Sequence, residues 1–568
     1  EARAEGQPAL RDALYRRIEH LLLEAGALVP LFHDIDYRLA SPRVRGLVLR
    51  GTKPYLNYGE VGVAVSPRVA EARRATGGTI HVPMTSGIMS LDPKQRSTAE
   101  LGEVLPCIFQ TLTVEKGGLA QIIPCLAERF RIEDGGQRYR FFLREDVRFH
   151  NGRRLTARDV RYSLERLLQS RETDLESFAV IRGAKALLGG ETRDLAGLRI
   201  HSATEFTIEL EEPVAFFPAL LSHYQTAIIP EGGEPPAATP HAWTGTGAFR
   251  VVAFEPGRRL ELERNKTYWR QGYPRSEGLV FHFGIKPKDI LGGLQDGRFS
   301  VGAELLPADV EELRRQPEFA SGYRETPRLV TYFVAFNTLR GPLRSRALRL
   351  RLARSVDLPR LIRQTLGRLA IPAHGIIPPG LPGHDPEAAT RRLSAGSDAS
   401  ETMAGSLELT AAIHPVLTGP YAAVTRELST AFAAQGVAVR PVATNMEEFL
   451  QAHREGTADM FIGRWAADYP DPDSFASVFH SQTGFFGRVC SSPEIDRLIA
   501  RARSESVPAL RHTRYRELED MLAADAIILP MFHEQAYRIA RPEVDGLTLG
   551  LGTPTVSMEE LRIASPDP

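Results

Sequence analysis

The sequence predicts an α/β protein built of several lobes, and three observations carry that prediction. Residues 407–463 alternate strand-like apolar runs with helical periods, the pattern of a parallel sheet with crossover helices. The chain has 568 residues, more than one hydrophobic core organises, so lobes of roughly 100–200 residues each are expected. Residues 15–49, YRRIEHLLLEAGALVPLFHDIDYRLASPRVRGLVL, recur as residues 515–549, YRELEDMLAADAIILPMFHEQAYRIARPEVDGLTL, at a spacing of 500 with no gap. The copies share about fifteen identities in about thirty-five positions, among them Pro30 with Pro530, His33 with His533 and Gly46 with Gly546. Such a period exceeds the roughly 20–50 residues of solenoid repeats, so the repeating unit is a whole multi-lobed domain.

In chain order, residues 1–60 read as the closing segment of a preceding domain. Residues 61–77 lose hydrophobic periodicity and run into ATGG, a linker, and 78–566 form one complete domain. Residues 79–83 alternate as a short strand, and Ser90-Leu91-Asp92-Pro93 supplies turn chemistry. Residues 139–143 read as a strand, and Thr156 with Asp159 in the following turn caps a helix running to about residue 168. A hairpin is expected over 198–211, and a second joins 249–252 to 260–263 around Glu255-Pro256-Gly257. Residues 329–336 form a strand, and 343–366 form two short helices parted near Asp357-Leu358-Pro359. The small polar run at 394–406, SAGSDASETMAGS, is an exposed loop and the most mobile interior segment expected. Beyond it come a strand at 407–413, a helix at 421–434 ended by Gly436, a strand at 437–442, a helix at 446–454 and a strand at 459–463.

The composition excludes several classes of function. Lys+Arg and Asp+Glu balance at 70 each, so no net field favours nucleic acid or an anionic membrane. With 43% hydrophobic and 25% charged residues the chain is of ordinary globular composition. Its apolar runs are far shorter than the roughly 20 residues of a spanning helix. Cys107, Cys125 and Cys490 have no metal-site spacing; they read as buried hydrophobes, with one Cys107–Cys125 disulfide as the alternative. There is no G-x-S-x-G, P-loop, H-E-x-x-H or C-x-x-C, so neither catalysis nor a cofactor is expected. Gly245-Thr246-Gly247 lacks the third glycine of a dinucleotide loop, and His33 and His533 are one repeated position rather than a shared metal site.

Four segments together resemble the bacterial extracellular solute-binding proteins of family 5, the oligopeptide, dipeptide and nickel receptors of ABC importers. They are YRFFLREDVRFHNGRRLTARDVRYSLER at 139–166, TGTGAFRVVAFEPGRRLELERNKTYW at 244–269, Phe336-Asn337 with Arg349 and Asp357, and WAADYPDPDSF at 465–475. Ala248 stands where the family has proline. The resemblance implies a periplasmic binding protein type II-like fold: two α/β lobes with a hinged cleft plus a smaller additional lobe. It would place lobe I at 78–110, 238–326 and 527–566, lobe II at 111–237 and lobe III at 327–526, with hinges near Val330 and Ile528.

WAADYPDPDSF puts a carboxylate and two aromatics at the C-terminal end of a strand, the edge where α/β sheets bind ligands. In the peptide receptors of this family the Asp of the motif pairs with the ligand's ammonium, a role that falls to Asp468; its plain alternative is a turn cap ahead of Pro470 and Pro472. Trp465 and Tyr469 are expected along the ligand, with Ser90, Tyr332 and Asn337 as lining residues by topology. The resemblance implies a monomeric, non-enzymatic receptor, periplasmic or otherwise extracytoplasmic, tethered or free, that passes a peptide or small amine-bearing solute to an ABC-transporter permease by lobe closure. The tandem segment keeps open a second reading, a ligand sensor or scaffold without transport.

Overall fold

The computed structural model describes residues 44–45, 62–63 and 78–564, apart from 96–97, 117–120, 171–175, 235–242, 321, 386–405, 444, 506 and 553. Residues 1–75 and 76–568 form separate compact units. In the first, Val44–Arg45 (β1) pairs antiparallel with Gly62–Val63 (β2). The rest of the repeated segment at 15–49, and nearly all of the loop at 394–406, lie outside the described residues.

The second unit begins with Thr79–Pro83 (β3), Thr113–Lys116 (β4), Gln121–Pro124 (β5), Ala127–Glu133 (β6), Arg138–Leu143 (β7), Leu198–Ile200 (β8) and Glu205–Glu209 (β9). Then follow Phe249–Glu255 (β10), Arg259–Arg264 (β11), Gly278–His282 (β12), Val301–Gly302 (β13) and Tyr323–Phe336 (β14). After these come Ala370–Pro372 (β15), Leu407–Ile413 (β16), Val437–Pro441 (β17), Met460–Ala466 (β18) and Ile528–Ala540 (β19).

Three sheets carry the unit. The first runs β10-β11-β12-β3, with β3 parallel to β12 although about 200 residues separate them in sequence. Its apolar face, including Ile80, Phe249, Leu260, Leu279 and Phe281, is sealed by Val104 and Leu105 of the helix Ala99–Ile108 and by Leu561. The expected hairpin is β10–β11, and its turn uses Gly257 at a positive φ of 69°, where a side chain would be strained.

The second sheet, β6-β7-β9-β8, is antiparallel. On β7, Tyr139, Phe141 and Leu143 point inward and the residues between them stay wetter, the period-2 pattern of a strand covered on one face. The covering helix Ala157–Leu168 ends where the sequence puts it, and its start is a reciprocal cap: Thr156 N–H donates to Asp159 Oδ2 at 2.8 Å. Asp159 is wholly buried and also accepts the Glu231 N–H at 2.8 Å, so the cap ties the helix to the segment after residue 228.

The third sheet runs β13-β19-β14-β18-β16-β17, with β15 on β19. The parallel order expected for the strands at 407–463 is present, inside a larger sheet. β16 is parallel to β17 and β18, but β14 is antiparallel to both β18 and β19, so the sheet is mixed. The reason is connectivity: β14 brings the chain into this region and β19 takes it out. Strand parity divides the core between two faces. Val330, Tyr332, Val334 and Phe336 of β14 join Met460 and Ile462 of β18 on one face, while Phe333, Ala335 and Phe461 point to the other.

β14 is longer than the strand expected at 329–336, reaching back through Pro327. Pro327 faces Gln535 and Thr331 faces His533, so Arg328, Leu329 and Val330 together stand opposite Glu534. Such a bulge tolerates a proline, which has no N–H to give the ladder, and it re-aims the side chains it carries.

Candidate ligand cleft

The WAADYPDPDSF segment leaves the end of β18 and turns sharply, and its own side chains make the turn. Asp471 Oδ1 accepts the Asp473 N–H at 2.9 Å, and Ser474 Oγ accepts the Asp468 N–H at 3.0 Å. Two arginines brace it from behind. Arg511 clamps Asp471 with two bonds of 2.7 and 2.6 Å, and Arg503 clamps the wholly buried Asp473 at 2.9 and 3.0 Å. Burial pushes the Asp471 carboxyl up, and the Arg511 guanidinium opposes that shift.

This brace leaves Asp468 exposed and Tyr469 buried. The Tyr469 ring lies flat on Phe216, 5.0 Å between centroids and 4° between planes, inside the core formed by residues 112–228. Its hydroxyl donates to Asp473 Oδ2 at 2.9 Å.

Asp468 and Tyr469 open onto a cleft of about 1190 Å³. Its walls come from the helix Ala99–Ile108, the β4–β5 hairpin, Tyr268 to Arg270, Arg328 to Val330, the end of β18 and residues 548–560. On one wall Gln110 orders the aromatics: its Oε1 accepts the Trp269 indole N–H at 2.9 Å and its Nε2 donates to Tyr268 Oη at 2.8 Å. Tyr268 in turn donates to Glu559 at 2.8 Å, and Glu559 is ion-paired with Arg270. The Arg144 guanidinium stands 4.5 Å above the Trp269 ring.

Glu115 enters from β4, bonded by backbone N–H groups of Leu551 and Gly552. A Cβ at residue 552 would meet its carboxylate, so the glycine lets that carboxylate approach the backbone closely. Burial raises the Glu115 carboxyl to about 7 against those two N–H groups, and its Oε1 is buried without a hydrogen-bond partner. Burial also lowers His223, another lining residue, to about 4, so its imidazole is neutral at pH 7.

The other expected lining residues sit elsewhere. Tyr332 is wholly buried, stacked on Phe532 at 4.3 Å. Asn337 is also wholly buried and donates to the carbonyls of Gly456 and Ala458 at 3.1 and 3.0 Å, a tie between strand ends. Both are corrected to core positions: Tyr332 packs its ring between Phe532 and Tyr421, and Asn337, just past the end of β14, is held by its own side-chain bonds. Ser90 is corrected to a turn residue: its Oγ accepts the Asp92 N–H at 3.1 Å and its carbonyl accepts Gln95 Nε2 at 2.9 Å. Trp465, likewise corrected, is half-buried against the core that holds Phe461 and Phe475, with its ring 5.6 Å from Phe485. Cys107 and Cys125 line the cleft as free buried cysteines, and Cys490 is free and buried too.

Sequence reasoning missed Arg328, Arg464, Glu115, Tyr268 and Trp269 as cleft residues. The Tyr-Trp pair closes a segment already singled out, so it was within reach. Arg328 was not, since only the bulge aims it inward.

A family model for "Bacterial extracellular solute-binding proteins, family 5 Middle" matches residues 121–487. The chain belongs to this family. Among its relatives, the periplasmic oligopeptide-binding protein OppA of Escherichia coli (strain K12) is 23% identical over 530 residues, covering 89% of this chain and 96% of the relative. The probable di/tripeptide-binding protein 5 of Pseudomonas aeruginosa (strain UCBPP-PA14) is 27% identical, covering 72% and 81%. Among solved structures, the Escherichia coli murein tripeptide binding protein MppA superposes with a TM-score of 0.70 at 20% identity, covering 86% of this chain and 99% of that one, which shows a shared fold. The fold of this family 5 member is thus the type II periplasmic binding protein fold, with mixed α/β content.

Proposed function

We propose that this solute-binding protein captures short peptides or other amine-bearing small solutes in the cleft and hands them to an ABC importer, without catalysis, on the outer side of the cytoplasmic membrane. The observation that carries the reading is the exposed Asp468 on the wall of a 1190 Å³ cleft, presented by a turn whose two buried carboxylates are clamped by arginines. The volume exceeds the roughly 300–1,000 Å³ of usual small-molecule sites and leaves room for an extended chain. The names of the relatives point the same way, since OppA is an oligopeptide-binding protein and the Pseudomonas relative a probable di/tripeptide-binding protein. Among the described residues no helix is long and apolar enough to cross a membrane.

In this reading the ligand's ammonium meets Asp468. Tyr268, Trp269 and the backbone of residues 548–552 border the rest of the ligand, and closure buries it. Calorimetry of Asp468→Ala with tri-alanine and N-acetyl-tri-alanine tests the assignment. The variant should lose at least tenfold in affinity for the free-amine peptide and little for the acetylated one; equal losses would overturn the ammonium role.

A further inference from the structure

The even balance of charge over the whole chain hides a local excess. Residues 326–384 hold ten arginines, no lysine and a single carboxylate, Asp357. Two helices carry most of these arginines, Arg346–Arg354 and Leu358–Thr365. Leu348 and Leu352 of the first and Leu361 and Ile362 of the second enter the core that also holds Val330, Tyr332 and Phe336. Both helices therefore cover the same face of the third sheet, and their opposite sides look out to solvent.

Part of the excess is spent within the fold. Arg328 pairs with Glu534 at 3.0 Å, Arg346 with Asp525 at 2.9 Å and Arg368 with Glu325 at 3.0 Å. Arg349 is buried and donates to the carbonyls of Leu343 and Asp525 at 2.8 and 2.7 Å. Arg344, Arg354, Arg360 and Arg363 are different: all four are exposed, and none meets a carboxylate among the described residues. Asp357, the one acid at hand, caps the second helix, its Oδ1 accepting the Arg360 N–H at 3.1 Å. None of the four lines the cleft. Apolar side chains lie among them. Leu339 is 48% exposed, Pro359 is exposed, and Leu350 stands one turn from Arg354 on the outer stripe of its helix.

We propose that this arginine face docks the protein on the surface of an anionic phospholipid bilayer. A guanidinium grips a phosphate through two parallel bonds, and its charge needs no partner of fixed shape. Basic side chains set among exposed aliphatic ones are the composition of a helix that lies in a headgroup layer. The face lacks what other anionic partners use. A protein interface is anchored by aromatic side chains and single-stranded nucleic acid stacks on them, whereas residues 337–384 contain no Phe, Tyr or Trp. The face stands apart from the cleft, so the proposal does not depend on what the cleft holds. The importer reading adds only that a bilayer stands beside the working protein. Each arginine held at an anionic membrane surface strengthens binding about fivefold, and salt screens the attraction.

The test is co-sedimentation of the full chain with vesicles of phosphatidylcholine alone and of phosphatidylcholine with one-third phosphatidylglycerol, at low and at high salt. The native chain should adsorb to the anionic vesicles at low salt, at least tenfold less at high salt, and not to the neutral ones. Arg354→Gln, Arg360→Gln and Arg363→Gln combined should lower the partition coefficient about a hundredfold. The control removes the same charge elsewhere. Arg158, Arg315 and Arg497 are exposed on three other helices and meet no carboxylate among the described residues. Their combined replacement by Gln should lower partition less than threefold. Both triple variants should melt with the native chain. If tri-alanine binds none of the three proteins while the vesicle results hold, the peptide reading falls and the docking face stands. Equal losses in the two triple variants, equal adsorption to both kinds of vesicle, or no adsorption to the anionic ones at low salt overturns the docking face. Binding of poly-glutamate without adsorption to vesicles would assign the face to an acidic protein and overturn it as well.

Discussion

Glu115 carries its carboxyl in the cleft wall, desolvated and without a charged neighbour among the causes that shift it, and this fixes the sign of its pH dependence. Its value rises from 4.5 to about 7, so between those pH values the folded chain holds a proton that the unfolded chain has released. Stability therefore falls as pH rises from about 4.5 through 7 and is flat above. Glu115→Gln keeps an acceptor for the Leu551 and Gly552 N–H groups and removes the titration. Denaturant melts at pH 5 and pH 8 should show the variant gaining on the native chain at the higher pH, by on the order of 1–3 kcal/mol. The cysteines supply a second test at this scale. Burial raises Cys107, Cys125 and Cys490 far above the usual thiol range, so a thiol reagent should label all three only after denaturation.

At the scale of elements, the ligand turn is held by partners far away in sequence. Arg503 belongs to the helix Pro493–Ser504 and Arg511 to the helix Pro508–Ala524. Arg511→Ala would leave Asp471 buried and uncompensated, at a cost of about 3–5 kcal/mol in urea unfolding. Asp468 stands on the same turn, so ligand affinity should fall with stability.

Much of this local structure was legible in the sequence because it is made by neighbours. The Thr156–Asp159 cap, the Gly257 hairpin and the strand–helix alternation after residue 407 all rest on contacts a few residues apart. The passage of β14 through Pro327 was not legible, since a bulge breaks the period-2 pattern and depends on a partner strand some 200 residues later. The same cause explains the site. Asp468 stands in the cleft wall on its motif, whereas Arg328 lies at a bulge of β14, and Tyr332 and Asn337 are buried by partners distant in sequence, Phe532 for the one and the carbonyls of Gly456 and Ala458 for the other.

At the scale of the whole molecule, β14 and β19 are the two long strands through which the chain passes into and out of the third sheet. They pair along most of their length, and their register shifts fall at residues 327–333, beside the cleft. Beyond the end of β18, Phe216 on Tyr469 is a flat aromatic contact between the core of residues 112–228 and the turn that carries Asp468. Phe216→Leu keeps the apolar fill and loses the stack, worth about 0.5–1.5 kcal/mol. Stopped-flow measurements should show it chiefly as faster ligand release.

The central claim, that the cleft holds a peptide-like amine by Asp468, is tested most directly by native mass spectrometry of the refolded chain mixed with a tripeptide library. A one-to-one complex that survives transfer, accepts tripeptides of varied side chains and disappears in Asp468→Ala is the predicted result. Absence of any adduct at millimolar peptide, or an adduct formed equally by native chain and variant, would contradict it.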